Sequence, residues 1–239
     1  MNSVFSQTFS NFEYIVVDGA STDGSVALIE AHKDKIAHWV SEPDSGIYNA
    51  MNKGITAAKG DYLLFLNSGD DFTDPSALEK CEKDLTGEDI ISFDINVVPE
   101  AKPYIKKAPE QMSFSYLAKD TLAHQSTFIR KDLFERIGYY DEKLKIVSDW
   151  KFFIIAICKF NATYKSVEGL FSTFYMDGIS TSSENITQLI EEREQVLHTE
   201  FAPFLIDMKS VLETNRLVNS LRGSKKIQLL VKLGLIHKF

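Results

Sequence analysis

Two adjacent carboxylates, Asp70 and Asp71, follow an apolar run at residues 62–66, with only Asn67-Ser68-Gly69 between. Such a run reads as a strand buried on both faces, as in parallel sheets. Asn, Ser and Gly are turn formers. Ligands of open α/β sheets bind beyond the carboxyl ends of the strands. Acids placed there on a glycine turn suit a divalent cation carrying a phosphate-bearing substrate. The same residues also suit an ordinary acidic turn with Asp71 solvated. Asp18 repeats the placement, closing a strand at residues 12–17 ahead of the small, polar loop Gly19-Ala20-Ser21-Thr22-Asp23-Gly24. A carboxylate there can accept hydrogen bonds from a nucleotide base or sugar, while Ser21, Thr22 or Asp23 caps the next helix.

Two further sites could do chemistry. His124-Gln125 precedes a strand-like segment and could hydrogen-bond a sugar or phosphate, or be structural. Asp149 lies beside Trp150 at the start of a very apolar helix. It reads either as a cap or as a general base in a cleft. Desolvation by the indole would raise its pKa and suit the second role, whereas the helix dipole would lower it.

The elements that position these groups alternate between strand and helix. Helices are expected at residues 25–33 and 47–58, the second the clearest, with Ile47, Ala50, Met51, Gly54, Ile55 and Ala58 on one face. Gly46 opens that helix, and its N-terminus suits anionic groups. Asn49, Asn52 and Lys53 fall off the stripe, leaving Lys53 as a phosphate contact or a solvated lysine. Asp74-Pro75 opens a further helix by the cap-then-proline rule. Strands are expected at 37–40, 89–94, 163–167 and 170–175, helices at 133–137, 147–158 and 185–201, and a mobile loop over the site at 97–109. From Leu217 onward Arg216, Arg222, Lys225, Lys226, Lys232 and Lys238 alternate with apolar residues including Ile227, Leu230 and Ile236. This basic amphipathic tail reads as contact with an anionic membrane surface or as a packing helix.

The totals bound the class. The 239 residues are 44% hydrophobic and 25% charged, enough to bury the core of one α/β domain with a helical appendage. A net charge of -8 argues against a nucleic-acid partner. Cys81 and Cys158 have neither a CxxC nor a nearby Cys or His cluster, which favours a reducing compartment. No run reaches transmembrane length and the start lacks a signal-peptide layout, so a cytoplasmic location is expected.

The series Tyr14-Ile-Val-Val-Asp18-Gly-Ala-Ser-Thr-Asp-Gly24, Gly46-Ile-Tyr-Asn-Ala-Met-Asn-Lys-Gly54, Gly60-Asp-Tyr-Leu-Leu-Phe-Leu-Asn-Ser-Gly-Asp70, His124-Gln125 and Ser148-Asp149-Trp150 resembles the family 2 glycosyltransferases, more narrowly the bacterial enzymes that build polysaccharides and O-antigens. The likeness covers residues 3–175, and it rests on the order and spacing of several motifs. It implies a GT-A fold: a Rossmann-like mixed, mainly parallel sheet flanked by helices over residues 1–180, then a helical extension over 181–239. It implies inverting transfer from a nucleotide-diphosphate sugar, assisted by Mn²⁺ or Mg²⁺, to a glycan or polyprenyl-linked acceptor at the inner membrane face.

Carried over by position, Asp18 contacts the nucleotide base, and Ser21, Asp23, Gly46, Asn52, Lys53 and Ser68 line the donor site. Asp70, with Asp71, meets the metal, and Asp149 is the base. His124, Gln125 and Trp150 form the acceptor wall. Two departures stand out. Ser68 replaces an acid of the family's metal motif, and a first strand, central in the family's sheet, is expected ahead of Met1. Without it, the strands at 12–17 and 62–66 should close on each other or flank a gap. The alternative reading is a catalytically silent sugar-nucleotide-binding or scaffold remnant. A dinucleotide-dependent oxidoreductase is disfavoured because no Gly-x-Gly-x-x-Gly follows a strand.

Overall fold

The computed structural model describes residues 1–99, 101–176, 178, 181–233 and 235, so Ile236, Lys238 and much of the Asp177–Thr181 loop lie outside the described residues. It divides into two compact units, Met1–Arg193 and Glu194–Phe239.

The first unit is built around β5 (Ile90–Val98), whose first six residues are all buried. The order is β3 (Tyr62–Leu63), β7 (Thr127–Arg130), β5, β8 (Tyr164–Tyr175) and β4 (Asp71–Phe72), with β6 (Tyr104–Lys106) paired to the far end of β5. β8 runs parallel to β5, while β7 and β6 are antiparallel to it. A tight aromatic cluster fills one side of the sheet, with the rings of Phe93, Phe128 and Phe171 pairwise 5.2–5.8 Å apart. A second joins Phe134 of α6 (Lys131–Ile137) to Phe152 of α7 (Ser148–Phe160), stacked at 4.5 Å. Such contacts add to the area the rings bury.

The two strands expected at 163–167 and 170–175 are one. The ladder slips at Phe93/Asp94 and again at Asp94/Ile95. Gly169, at φ +132°, donates its amide to Asp94 Oδ2 at 3.3 Å. A bulge with a glycine in a positive-φ conformation lets the strand bend and continue. The stretch expected as a mobile loop at 97–109 holds β6, which gains order by pairing along β5.

β1 (Ile15–Asp18) pairs in parallel with β2 (His38–Ser41), forming a separate two-stranded sheet. β3 pairs only with β7, antiparallel, so among the described residues β1 and β3 share no ladder. Of the two outcomes expected, direct closure of these strands on each other is not found among the described residues. The doubly buried parallel strand expected at 62–66 is therefore corrected. Only Tyr62 and Leu63 join a sheet, Leu63 alone is buried, and Leu64, Phe65 and Leu66 continue half-buried without a ladder partner. Glu13, ahead of β1, accepts hydrogen bonds from the amides of Lys59 and, at 2.8 Å, of Gly60, which lie ahead of β3. The amides of Leu64, Phe65 and Leu66 are expected to exchange with solvent at least about 10²-fold faster than those of Ile90 and Ile91. Equal protection by hydrogen-exchange mass spectrometry would contradict the open edge.

The second unit contains α9 (Ala202–Gly223) and α10 (Lys225–Lys232), and among the described residues no helix is long and apolar enough to cross a membrane.

Candidate active site

The site gathers at the start of α7. The segment before it is fixed by Glu192, a buried carboxylate that accepts the amides of Lys145 at 2.9 Å, Ile146 at 3.0 Å and Val147 at 3.3 Å. Asp149 follows in the first helical turn, where the helix dipole favours a negative charge. Its Oδ2 accepts from His124 Nδ1 at 3.1 Å, and its Oδ1 from the Tyr48 hydroxyl at 2.9 Å. That hydroxyl shares its proton with the Ile146 carbonyl at 2.7 Å. On the far side of the imidazole, Nε2 meets Asn67 Nδ2 at 3.0 Å.

Burial alone would raise the Asp149 carboxyl. The hydrogen bonds from His124, the Tyr48 hydroxyl and the Trp150 amide outweigh it and hold the group below its ordinary value. The net direction is the one expected from the helix dipole, but its causes are these hydrogen bonds. Asp149 remains a carboxylate at neutral pH, with 14% of its side chain reachable by solvent.

Tyr48 comes from α3 (Ile47–Ala57), entered through Gly46 at φ +132°, whose amide donates to Asp44 Oδ1 at 3.0 Å. The buried stripe of α3 is Tyr48, Met51, Asn52 and Ile55, rotated from the one expected. This corrects the reading of Asn52 as a donor contact. Its Nδ2 donates to the Tyr140 carbonyl at 2.9 Å and to Glu142 at 2.8 Å, and its Oδ1 accepts the Tyr140 amide at 3.0 Å. With both amide donors engaged, Asn52 braces the loop ahead of α7. Lys53 pairs with Glu42 at 2.8 Å and also donates to the Pro43 carbonyl at 3.3 Å, tying α3 to the loop after β2.

Asp18 ends β1 with a buried carboxylate, its Oδ2 accepting the Ser21 amide at 3.0 Å and the Ser41 hydroxyl at 2.6 Å. The Ser21 and Ser41 hydrogen bonds outweigh desolvation and lower its pKa. Asp23 accepts the Ser25 amide at 3.0 Å just ahead of α2 (Ser25–Ala31), whose N-cap is Gly24. Ser21 is exposed in this loop, and Ser68 is exposed in the acidic turn after β3.

The acidic turn closes by a hydrogen bond from the Asp70 amide to the Asn67 carbonyl at 3.1 Å, with Gly69 at φ +100° as a type II turn requires. Asp70 is buried, while Asp71 enters β4 opposite Thr173. Asp70 thus closes the turn while Asp71 belongs to the strand that follows it. Among the described residues no three Asp, Glu, His or Cys side chains come together as a metal site. Asp70 alone still fits a divalent ion delivered with a diphosphate, since Mg²⁺ is commonly held by one or two carboxylates plus substrate phosphates and water.

Two acceptor-wall assignments are corrected by burial. Trp150 is 2% exposed and donates its indole N–H to the Leu117 carbonyl at 2.6 Å, with the Arg193 guanidinium stacked 4.5 Å away. Gln125 is 4% exposed within a 3₁₀ turn. Both side chains are enclosed, and His124 alone of the three keeps access to solvent. Tyr48, Ser41 and Glu192 had not been singled out from sequence, although Tyr48 and Glu192 are polar residues within apolar helical patterns.

Residues 1–149 match the family model described as Glycosyl transferase family 2, which is more than half of the chain. The chain belongs to that family. An uncharacterized glycosyltransferase of Mycobacterium tuberculosis is 33% identical over 161 residues, covering 65% of this chain and 62% of that protein. A PGL/p-HBAD biosynthesis glycosyltransferase of Mycobacterium bovis is 28% identical over 163 residues, covering 64% of this chain and 60% of its own length. The chain thus spans under two thirds of these relatives.

Among solved structures, Staphylococcus aureus TarS in complex with UDP-GlcNAc superposes with a TM-score of 0.61 at 21% identity, over 76% of this chain and 55% of that one. The mannosyltransferase PcManGT of Pyrobaculum calidifontis, in complex with GDP-Man and Mn²⁺, gives 0.55 at 16% identity over 98% and 74%. The fold of this family 2 chain is of the GT-A type.

Proposed function

We propose that this chain transfers a sugar from a nucleotide-diphosphate donor to an acceptor hydroxyl with inversion. The observation that carries the reading is Asp149: an ionised, partly accessible carboxylate gripped on both oxygens at a helix start. The acceptor hydroxyl gives its proton to Asp149 as its oxygen bonds to the anomeric carbon. The bond from that carbon to the diphosphate breaks, and the electron pair leaves with the phosphate oxygen. One base opposite the leaving group yields inversion, and no covalent enzyme intermediate is needed.

Asp18 and the loop through Ser21 and Asp23 receive the nucleoside, and the Gly46 end of α3, with Lys53, faces the phosphates. A divalent cation, Mn²⁺ or Mg²⁺, held by Asp70 and the diphosphate would neutralise the charge that builds on the leaving group. The acceptor side is the opening at His124. The donors bound in the neighbouring structures, UDP-GlcNAc and GDP-Man, support a donor of this class. In this reading the acceptor is a glycan or lipid-linked sugar in cell-surface polysaccharide synthesis, O-antigen included. A cytoplasmic location fits that role, with the basic tail as a peripheral membrane contact.

Calorimetric titration of UDP and GDP into the chain, with and without Mn²⁺, tests the donor half. Binding of one nucleotide is expected to strengthen with Mn²⁺ and to lose that gain in Asp70→Ala. Absence of binding by both, in a folded sample, would favour the silent remnant.

A further inference from the structure

His124 is tied on both ring nitrogens. Nδ1 lies 3.1 Å from Asp149 Oδ2, and Nε2 lies 3.0 Å from the Asn67 side-chain amide. An imidazole flanked by a carboxylate would ordinarily be read as a general base oriented by the acid. Here that reading fails on geometry, because the nitrogen that would take a proton already accepts an N–H from Asn67. The network assigns the ring as the Nδ1–H tautomer, donating to Asp149. Asn67 is also the first residue of the acidic turn, and its carbonyl accepts the Asp70 amide at 3.1 Å. One continuous path of hydrogen bonds therefore runs from the turn carrying Asp70, through Asn67 and His124, to Asp149.

We propose that His124 is a positioning residue for Asp149, and that Asn67 locks its tautomer and ties the base to the turn that would receive the diphosphate. The inference rests on Asp149 being the base. It replaces the assignment of His124 to the acceptor wall. The gain is rotational. With Oδ1 fixed by Tyr48 and Oδ2 by His124, the plane of the carboxylate is set before substrate arrives, and misplacement of a reacting group by about 1 Å can cost about 10²-fold in rate.

His124 also holds the Asp149 pKa down against burial. The other titratable or charged groups that face Asp149 are Tyr48, Tyr140 and Arg193. Without the imidazole, burial is opposed by fewer donors, so the acid limb of the activity profile should move to higher pH.

The test compares wild type with His124→Ala, His124→Asn and Asp149→Asn. Donor turnover in His124→Ala should fall about 10²-fold, with KM for the donor within twofold and the acid limb shifted upward. The His124→Asn side-chain amide places an N–H near the position of Nδ1 and should recover part of the rate. Unchanged turnover in His124→Ala, or a loss confined to KM, would overturn the proposal. So would His124→Asn being as inactive as Asp149→Asn, which would make the imidazole itself the base.

A readout independent of turnover separates this from failure of the proposed function. Nitrogen-15 NMR of the histidine rings in the whole chain should show His124 protonated at Nδ1 and bare at Nε2, with the Nδ1–H signal lost in Asp149→Ala and exchanging faster in Asn67→Ala. A ring protonated only at Nε2 overturns the positioning role even in an active enzyme. The expected tautomer in a chain without turnover supports the positioning path and places the failure in the reading of Asp149 as base.

Discussion

Asp149→Asn is expected to lower sugar transfer about 10²–10⁴-fold, the range that general-base catalysis contributes. The argument is one of chemistry at constant shape. Asn keeps an oxygen that can accept from His124 or Tyr48, so the start of α7 should hold, but it cannot take a proton from the acceptor. Nucleotide binding should stay within about twofold of wild type, because Asp18 and Asp70 are on other elements. The exchange should cost about 1–3 kcal/mol of stability, the value of hydrogen bonds to a charged group.

The pH sign follows from the lowered carboxyl. A folded-state pKa below the unfolded one adds stability that is present above the unfolded value of about 3.9 and is lost as pH falls through the folded one. The stability gap between wild type and Asp149→Asn should therefore narrow below about pH 4. Turnover in Asp149→Asn within threefold of wild type, measured by release of nucleoside diphosphate, would remove Asp149 from the chemistry.

Glu192→Ala should produce the largest loss of stability. Its carboxylate accepts the backbone amides of Lys145, Ile146 and Val147, and the last two residues are buried. Removing the acceptor leaves at least two enclosed N–H groups unpaired at about 1–3 kcal/mol each, so a loss of about 2–5 kcal/mol is expected. For a chain of this size that lowers the midpoint by about 5–15 °C. Glu192→Gln keeps one acceptor oxygen and should lose less than half as much. Because the same three residues lead into α7, activity of Glu192→Ala should fall even at temperatures where the variant is folded. A midpoint shift under about 2 °C would show that water or a backbone shift replaces the carboxylate.

Much of this was legible in the chain. The alternation of apolar runs with capped helices, and the order and spacing of several motifs, led to the correct fold family, and they singled out Asp18, Asp70 and Asp149 as candidates. The misreadings arose where a local pattern met tertiary context. The run at 62–66 has the composition of a doubly covered strand, yet a ladder needs a partner on each side, and β3 has one only at β7. Asn52 looked exposed because the stripe of α3 was centred on its aliphatic residues, whereas the helix buries Tyr48 and the Asn52 amide against the Tyr140 loop. Trp150 and Gln125 adjoin important residues in sequence, but a helix or a 3₁₀ turn sends neighbouring side chains to different faces. Glu192 was the most concealed. A carboxylate three residues after Leu189 and four before Val196 sits in the inward register of its helix, and that is the signal by which a buried acceptor can be sought.

The most direct test of the account is to follow hydrolysis of UDP-GlcNAc and GDP-Man by proton NMR with Mn²⁺ present, reading which anomer of the sugar is released first. Both donors carry the nucleotide on the α face, and water can stand in for the acceptor hydroxyl. With Asp149 as the single base opposite the leaving group, the β anomer should appear first from the donor that binds, and Asp149→Asn should suppress its release. Initial release of the α anomer, or release unchanged in Asp149→Asn, would contradict the mechanism.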